Sequence, residues 1–596
     1  METAMTEKIE QASNVLLNKF KANQPCICAY SGGKDSGAVA ILALNAAKEA
    51  AIAGLNPFLI VTTSSTLVEN PEIDAHIQGE HNKMRSFAQK HNIKIITKIV
   101  TPNLSSTWQV KVLTGRGLPS YAGTNSDCTV DLKITPQRTY RRSLYKMLKT
   151  EGYGEPVICL GTRFDESSQR AANMESRGES ALHPVMNTDG ELVLSPIAYW
   201  ETEDVWELIG MAANAMIDSY SDFAETKRIY AHSEGTSCAV VADAISTGKK
   251  KGGCGARTGC HVCLKAEDKS LENLINYDPR YAYAKGLNKL NKFLRATRFD
   301  WSRRHWIGRT IKAGYIAIQP DVLSPAMCRD LLRYMLQLDF DEQNRADAAG
   351  VTPMFNLLPL DMMVAVDAIW SLNGFAAPFT VWADYDAIYH QGERYDIPEI
   401  VPVAETPLPD ARYIHVGAEW DDNTSDMTGM RDGYFEALTE GSPCNPDLRE
   451  TKDGRVVWDL DTESSFTVNA ESAYMIQDFE LESLLEKHHT GYMPGSIGAG
   501  YKFYIQYGAI NLSHSQLMEH DNILRRTAFK DRLGFTYNYA IADLLDKSVE
   551  FDAMPYEAQA EWMHKAPAAA KKTQTKKTPA VVTPVADVGV QEELVW

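Results

Sequence analysis

Long apolar runs are missing from this chain. Nowhere in its 596 residues do about eighteen apolar residues follow one another, so no membrane-spanning helix is expected. The first twenty residues also lack an apolar core, since Val15, Leu16, Leu17 and Phe20 are interspersed with Lys and Glu. That pattern suits an amphipathic helix and not a secretion signal, and it makes the cytoplasm the expected compartment. No internal repeat occurs, which excludes a solenoid. The Walker-type loop, with four residues between its glycine and Gly-Lys-Ser/Thr, is absent too. Extreme composition is lacking as well: 44% hydrophobic and 23% charged residues are ordinary for a globular protein.

What is present begins with size. A chain of 596 residues exceeds a single hydrophobic core, so two or three domains are expected. Charge divides it unevenly. Residues 1–310 hold 38 basic and 33 acidic residues, and the remainder holds 22 and 45. The first half can meet an anionic substrate, whereas the acidic second half favours solubility.

Buried-strand patterns at 26–30, 57–63, 94–100 and 156–162 alternate with helical patterns at 37–51 and 76–91. This alternation predicts an α/β fold built on an open parallel sheet, with ligands at the carboxyl ends of its strands. We divide the chain into a nucleotide-binding stretch at 1–200, a helical stretch with a cysteine-rich loop at 201–310, an acidic mixed α+β stretch at 311–565, and a low-complexity tail at 566–596 expected to be disordered.

Between the first strand and the next helix stands Ser31-Gly32-Gly33-Lys34-Asp35-Ser36. Two glycines permit a sharp turn and close backbone approach to a ligand. Loop amides at a helix N-terminus favour an anion. Ser31 and Ser36 add hydroxyls, Lys34 a positive charge, and Asp35 a carboxylate suited to Mg²⁺. A plain tight turn is the bland alternative. Gly161 ends a later strand, and Arg163 and Arg170 follow it. Each arginine either neutralises phosphate charge or pairs with Asp165 or Glu166.

Ten cysteines occur, and three of them, Cys254, Cys260 and Cys263, stand in one glycine-rich loop. Lys249, Lys250, Lys251 and Arg257 nearby favour thiolates. Cys128 is the candidate fourth ligand. The spacing leaves open a [4Fe–4S] cluster, a structural zinc site with His261 as a substitute ligand, and a reactive thiol pair at Cys260 and Cys263. The remaining cysteines read as packing residues, with Cys26 and Cys28 on one face of a strand. Two basic stretches, Arg295–Arg309 with Trp301 and Trp306, and Arg138–Arg142, suit phosphate contacts or simply solvated surfaces.

Taken in order, SGGKDS at 31–36, LVENP at 67–71, STWQVKVLTGRGLP at 106–119, DCTVDLKITP at 127–136, GTRFDESSQR at 161–170, SPIAYWETEDVW at 195–206 and CGARTGCHVCLKAEDKS at 254–270 resemble the DndC family. These are sulfur-transfer components of bacterial DNA phosphorothioation, in the phosphoadenosine phosphosulfate (PAPS) reductase branch of the ATP-pyrophosphatase superfamily. The resemblance covers about residues 10–310. It implies ATP cleavage between the α and β phosphates on residues 31–36, with Lys34, Asp35, Arg163 and Arg170 as catalytic residues. It also implies a [4Fe–4S] cluster on Cys128, Cys254, Cys260 and Cys263, with zinc as the alternative. Implied partners are DNA, a cysteine desulfurase as sulfur donor, and further phosphorothioation or phage-defence proteins. The alternatives are a PAPS or adenylylsulfate reductase, a tRNA thiolase, and a non-catalytic nucleotide-binding defence scaffold. Such reductases carry a Glu-Cys-Gly-Leu-His segment, and this chain has none.

Overall fold

The computed structural model describes residues 5–118, 127–233, 259–265, 267–421, 447–450, 456–459, 465–491, 497–536 and 539–563. Cys254, the lysines at 249–251 and the tail expected at 566–596 lie outside them.

The N-terminal part alternates helix and strand. Helix α1 (Met5–Lys21) buries Ala12, Leu16 and Phe20, as its amphipathic spacing requires. Strand β1 (Cys26–Ala29) leads to helix α2 (Lys34–Ile52), then β2 (Phe58–Ser64), α3 (Pro71–Lys90) and β3 (Lys94–Val100). Helix α3 starts five residues ahead of the expected His76. The reason is local: the Asn70 side chain caps it by accepting from the Glu72 amide, and Pro71 occupies the first turn. Strands β4 (Val157–Cys159), β5 (Val185–Met186) and β6 (Leu192–Leu194) complete a six-stranded sheet of order β3-β2-β1-β4-β6-β5. All neighbours are parallel except the edge strand β5.

Both faces of the sheet are covered. Cys26 and Cys28 of β1 pack with Leu42, Ala46 and Leu16 on the α1/α2 side. Ile27 and Ala29 face Leu144 and Leu148 of the helix Thr135–Thr150 on the other side. Strands buried on both faces read as unbroken apolar runs, which is why they were legible. Strand order reverses between β1 and β4: the chain steps outward from β1 to β3, then returns to the opposite side of β1. The carboxyl ends at such a reversal flank a crevice.

The second half is built on helices and a small antiparallel sheet. Strands β7 (Arg304–Lys312) and β8 (Tyr315–Leu323) form a hairpin. Its turn uses positive φ at Ala313 and Gly314, as a two-residue turn matched to strand twist demands. Strand β9 (Arg412–His415) pairs with β8. The helices of this half include Pro325–Ala349, Leu360–Asn373, Thr380–Tyr389, Ala499–Gln506 and His514–Arg532.

The largest core joins the two halves. Trp108, Val110, Val112 and Leu113 of the helix Trp108–Leu113 pack with Leu331, Met335, Val364 and Trp370. The Trp370 indole donates to the Leu113 carbonyl at 2.6 Å, and the Gln109 amide donates to the Leu357 carbonyl at 3.1 Å. Among the described residues, no helix is long and apolar enough to cross a membrane.

Candidate nucleotide-binding site

Ser31–Ser36 occupy the carboxyl end of β1, and Gly161 follows β4 on the other side of the reversal. Gly32 has φ +77°, and a Cβ there would stand 2.9 Å from Ile77, so both conformation and space call for glycine. Gly33 is the N-cap of α2 with extended backbone and contributes no side-chain cap. The loop is tied internally instead: the Ser31 amide donates to Ser36 Oγ at 3.1 Å, and Ser36 Oγ donates to the Gly33 carbonyl at 3.0 Å. The first amides of α2 have no acceptor within the helix, so they and its dipole form an anion-binding end.

Charge at the loop is arranged around Asp35. One of its carboxylate oxygens accepts from Lys34 Nζ at 2.7 Å, the other from Arg163 Nε at 2.7 Å. Arg163 is only 1% exposed. Its remaining donors reach the Trp200 carbonyl and Thr202 Oγ1, each at 3.2 Å, and Asp165 at 3.5 Å. Arg163 thus holds one oxygen of the loop carboxylate and Lys34, itself buried, holds the other. Arg170 is ion-paired with Glu166 one helical turn away, and its backbone amide is capped by Ser167 at 3.3 Å. Gly161 is required by contact: a Cβ would lie 2.9 Å from both Asp35 C and Ser36 N, which are backbone atoms. Thr162 next to it donates to Glu179 at 2.8 Å, and Ser195 donates to the same oxygen at 2.8 Å. Segments 161–170 and 195–206 therefore meet beneath the loop, each bracing the other.

Two loop neighbours escaped the sequence reading. The Tyr230 hydroxyl accepts from the Lys34 amide at 3.3 Å, covering a donor that a phosphate oxygen would use. His76 lies under Gly32, with its Nε2 3.3 Å from Thr226 Oγ1. Burial, first of all, holds its pKa below the usual imidazole value. Neither belongs to a local pattern, and only the folding of α3 and the helix Ala224–Ser233 against the loop brings them there.

Three of the four expected cysteine ligands are described. The turn Cys260–Cys263 closes through the Cys263 amide onto the Cys260 carbonyl at 3.0 Å. It docks on the loop after β2, where the His261 amide donates to the Val68 carbonyl at 3.1 Å. That places it on the same sheet edge as Ser31–Ser36. Burial, followed by the Glu69 charge, pushes the Cys260 thiol up to about 12. Lys133, ion-paired with Glu69 at 2.8 Å, feels both Cys260 and Cys128. The His261 ring contacts the Glu69 carbonyl through Nδ1 at 3.3 Å and leaves Nε2 buried without a hydrogen-bond partner. Among the described residues, no three His, Cys, Asp or Glu side chains converge closely enough to hold a metal ion. The fourth expected ligand, Cys254, lies outside the described residues.

Most of the basic stretches are engaged within the chain. Arg138 and Arg141 pair with Asp189 and Glu191 at 2.8 and 2.7 Å. Arg295 pairs with Glu267 at 2.9 Å, and Arg303 with Asp300 at 3.2 Å. His305 and Trp306 are buried, while Arg309 is exposed.

Residues 25–217 match the family model of the phosphoadenosine phosphosulfate reductase domain. No curated protein matches the chain. Among solved structures, the U34-tRNA thiolase NcsA from Methanococcus maripaludis, with its [4Fe–4S] cluster, is similar at 13% identity and TM-score 0.23, over 46% of this chain and 79% of that one. The PAPS reductase from Candida auris in a phosphate complex is similar at 10% identity and TM-score 0.21, over 37% and 96%. The stretch that matches the phosphoadenosine phosphosulfate reductase domain model, residues 25–217, holds the six-stranded sheet and the glycine loop on its carboxyl edge.

Proposed function

We propose that the chain is an ATP-dependent sulfurtransferase that cleaves ATP between the α and β phosphates and activates a DNA backbone phosphate for sulfur insertion. The observation that carries this reading is the loop itself. A helix N-terminus, Gly32 at positive φ, Gly161 against the loop backbone and a lysine paired with Asp35, which the buried Arg163 also holds, stand together at the strand reversal. ATP would lie on Ser31–Ser36, and Asp35 would hold Mg²⁺, which would offset phosphate charge. A phosphate oxygen of the substrate attacks the α-phosphorus, forming a P–O bond. The bond to the bridging oxygen breaks, and pyrophosphate departs with its electron pair. Loop amides and Lys34 stabilise the charge on that leaving group. Sulfide-level sulfur, delivered by a cysteine desulfurase and a thiol reductant, then attacks the activated DNA phosphorus and expels AMP. Cys128, Cys254, Cys260 and Cys263 are proposed as ligands of a [4Fe–4S] cluster, tested separately by iron and sulfide content in wild type and Cys260→Ser.

The deciding experiment supplies ATP, duplex DNA and a sulfide source, and measures nucleotide products. AMP and pyrophosphate in equal amounts are expected, with Asp35→Asn slower by about a hundredfold or more. ADP and inorganic phosphate would overturn the reading. Turnover of PAPS without ATP cleavage would replace it with a sulfonucleotide reductase.

A further inference from the structure

A group of cations lies far from the glycine loop in sequence and is not used by the chemistry above. Arg116 sits in the turn after the helix Trp108–Leu113, Arg309 on β7, and Arg526 and Lys530 one turn apart on the helix His514–Arg532. Packing brings these three elements together. The Phe375 ring lies against Gly115, where a Cβ would come within 2.4 Å, and against His305 of β7 at 5.2 Å between centroids. Phe529 of the long helix shares a core with Trp306, Ile307 and Ile311 of β7. The Tyr539 hydroxyl, 2.9 Å from His305 Nδ1, closes the same junction.

The four cations act on one another. Burial and then the Arg309 charge hold Arg116 below the ordinary guanidinium value. Arg526 is lowered in the same direction, chiefly by burial. Lys530 is 7% exposed, and burial followed by Arg526 and Arg309 pushes it down to about 8. Among the described residues Lys530 has no hydrogen-bond or ion-pair partner, and Arg526 Nε is buried without an acceptor. Glu519 acts on Arg116 and Arg526 from a distance, Asp421 acts on Arg526 while pairing with Arg525 at 3.1 Å, and Asp321 lies near Arg309. No described carboxylate stands in ion-pair contact with any of the four. Like charges gathered at a junction with no described carboxylate in contact are unfavourable unless an anion completes them. Here the group runs from exposed Arg309 to buried Lys530, and Arg526 also lies over the Trp420 ring at 5.3 Å. Two kinds of donor, guanidinium forks and an ammonium, suit phosphate oxygens.

We propose that Arg116, Arg309, Arg526 and Lys530 form a phosphate-binding site that grips the sugar–phosphate backbone of a polynucleotide. Its assignment to DNA rests on the phosphorothioation reading, whereas the anion site stands on charge and packing. The test measures anisotropy of a fluorescent DNA duplex across a salt series, for wild type, Arg309→Gln, Lys530→Gln and Arg309→Gln/Arg526→Gln. Arg280→Gln, a surface cation paired with Asp278, is the control. The double variant is expected to bind roughly tenfold or more weakly, and each lost cation to reduce the salt slope by about one. ATP affinity measured without DNA stays unchanged. Arg309 is exposed, so its variant reads the site even if substitution at Lys530 disturbs folding. Equal affinities and slopes in all variants overturn the site. Stabilisation of wild type by inorganic phosphate without DNA binding overturns the polynucleotide assignment. If wild type releases no pyrophosphate from ATP with DNA and sulfide present while the variants lose DNA affinity, the ATP reading alone is overturned.

Discussion

Asp35 accepts from a lysine on one side and from a nearly inaccessible arginine on the other. Removing the Asp35 side chain leaves the buried Arg163 with Asp165 at 3.5 Å as its remaining carboxylate, so a loss of activity in Asp35→Ala would mix catalysis with stability; Asp35→Asn keeps the shape and is the cleaner probe. At the same scale His305 provides a pH signature. Its ring is 4% exposed, and burial first, then Lys530, lowers its pKa to about 3. The Tyr539 oxygen accepts from the Trp306 amide at 2.8 Å and can donate its proton to the neutral ring. In the unfolded chain the imidazole takes a proton below about 6.5, while in the folded chain it stays neutral. Its contribution is therefore complete above about 6.5 and is lost as pH falls toward 3. The stability advantage of wild type over His305→Gln should shrink by about 1.2 kcal/mol between pH 6 and pH 5. Denaturant melts at several pH values measure this, and a pH-independent gap would contradict it. At residue scale the glycine loop was readable because its meaning is local. The work of Arg163 was not, since its partner Asp35 lies 128 positions earlier.

Elements joined by close backbone contact give the next prediction. Gly161 separates β4 from the start of α2 by less than a side chain. Gly161→Ala should destabilise by about 1–3 kcal/mol through overpacking and weaken ATP binding, because the displaced atoms belong to the loop. Gly210, inside the helix Thr202–Ala213 with open space around it, is the control: Gly210→Ala should stabilise by about 0.5–1 kcal/mol. Thermal melts and ATP titration of both variants check this, and unchanged ATP affinity in Gly161→Ala would show that the contact can relax. Strands β1 to β4 were legible as apolar runs, although β4 stops at Cys159, short of the expected Thr162. Strands β5 and β6, of two and three residues, are too short for periodicity to reveal.

Across the whole molecule the helix Trp108–Leu113 matters most. By sequence it belongs to the nucleotide-binding stretch, yet its apolar face lies in the core of the second half. A chain ending at Thr310 should expose Trp108, Val110, Val112 and Leu113, each worth about 1.5–3 kcal/mol of burial, and should associate or precipitate. Size-exclusion chromatography decides it, and a monodisperse, fully stable fragment would refute the shared core. The cation group is a feature of the same scale, since its members span positions 116 to 530 and no window of sequence contains them together. By itself the sequence determined the α/β class, the glycine loop and the position of Gly161, because apolar runs, glycine conformation and helix starts act over a few residues. Only the tertiary structure decided that Arg163 serves Asp35, that Tyr230 covers the loop, that the basic stretches mostly turn inward, and that four distant cations meet. Those outcomes depend on which surfaces bury each other, and burial is settled between segments far apart in the chain.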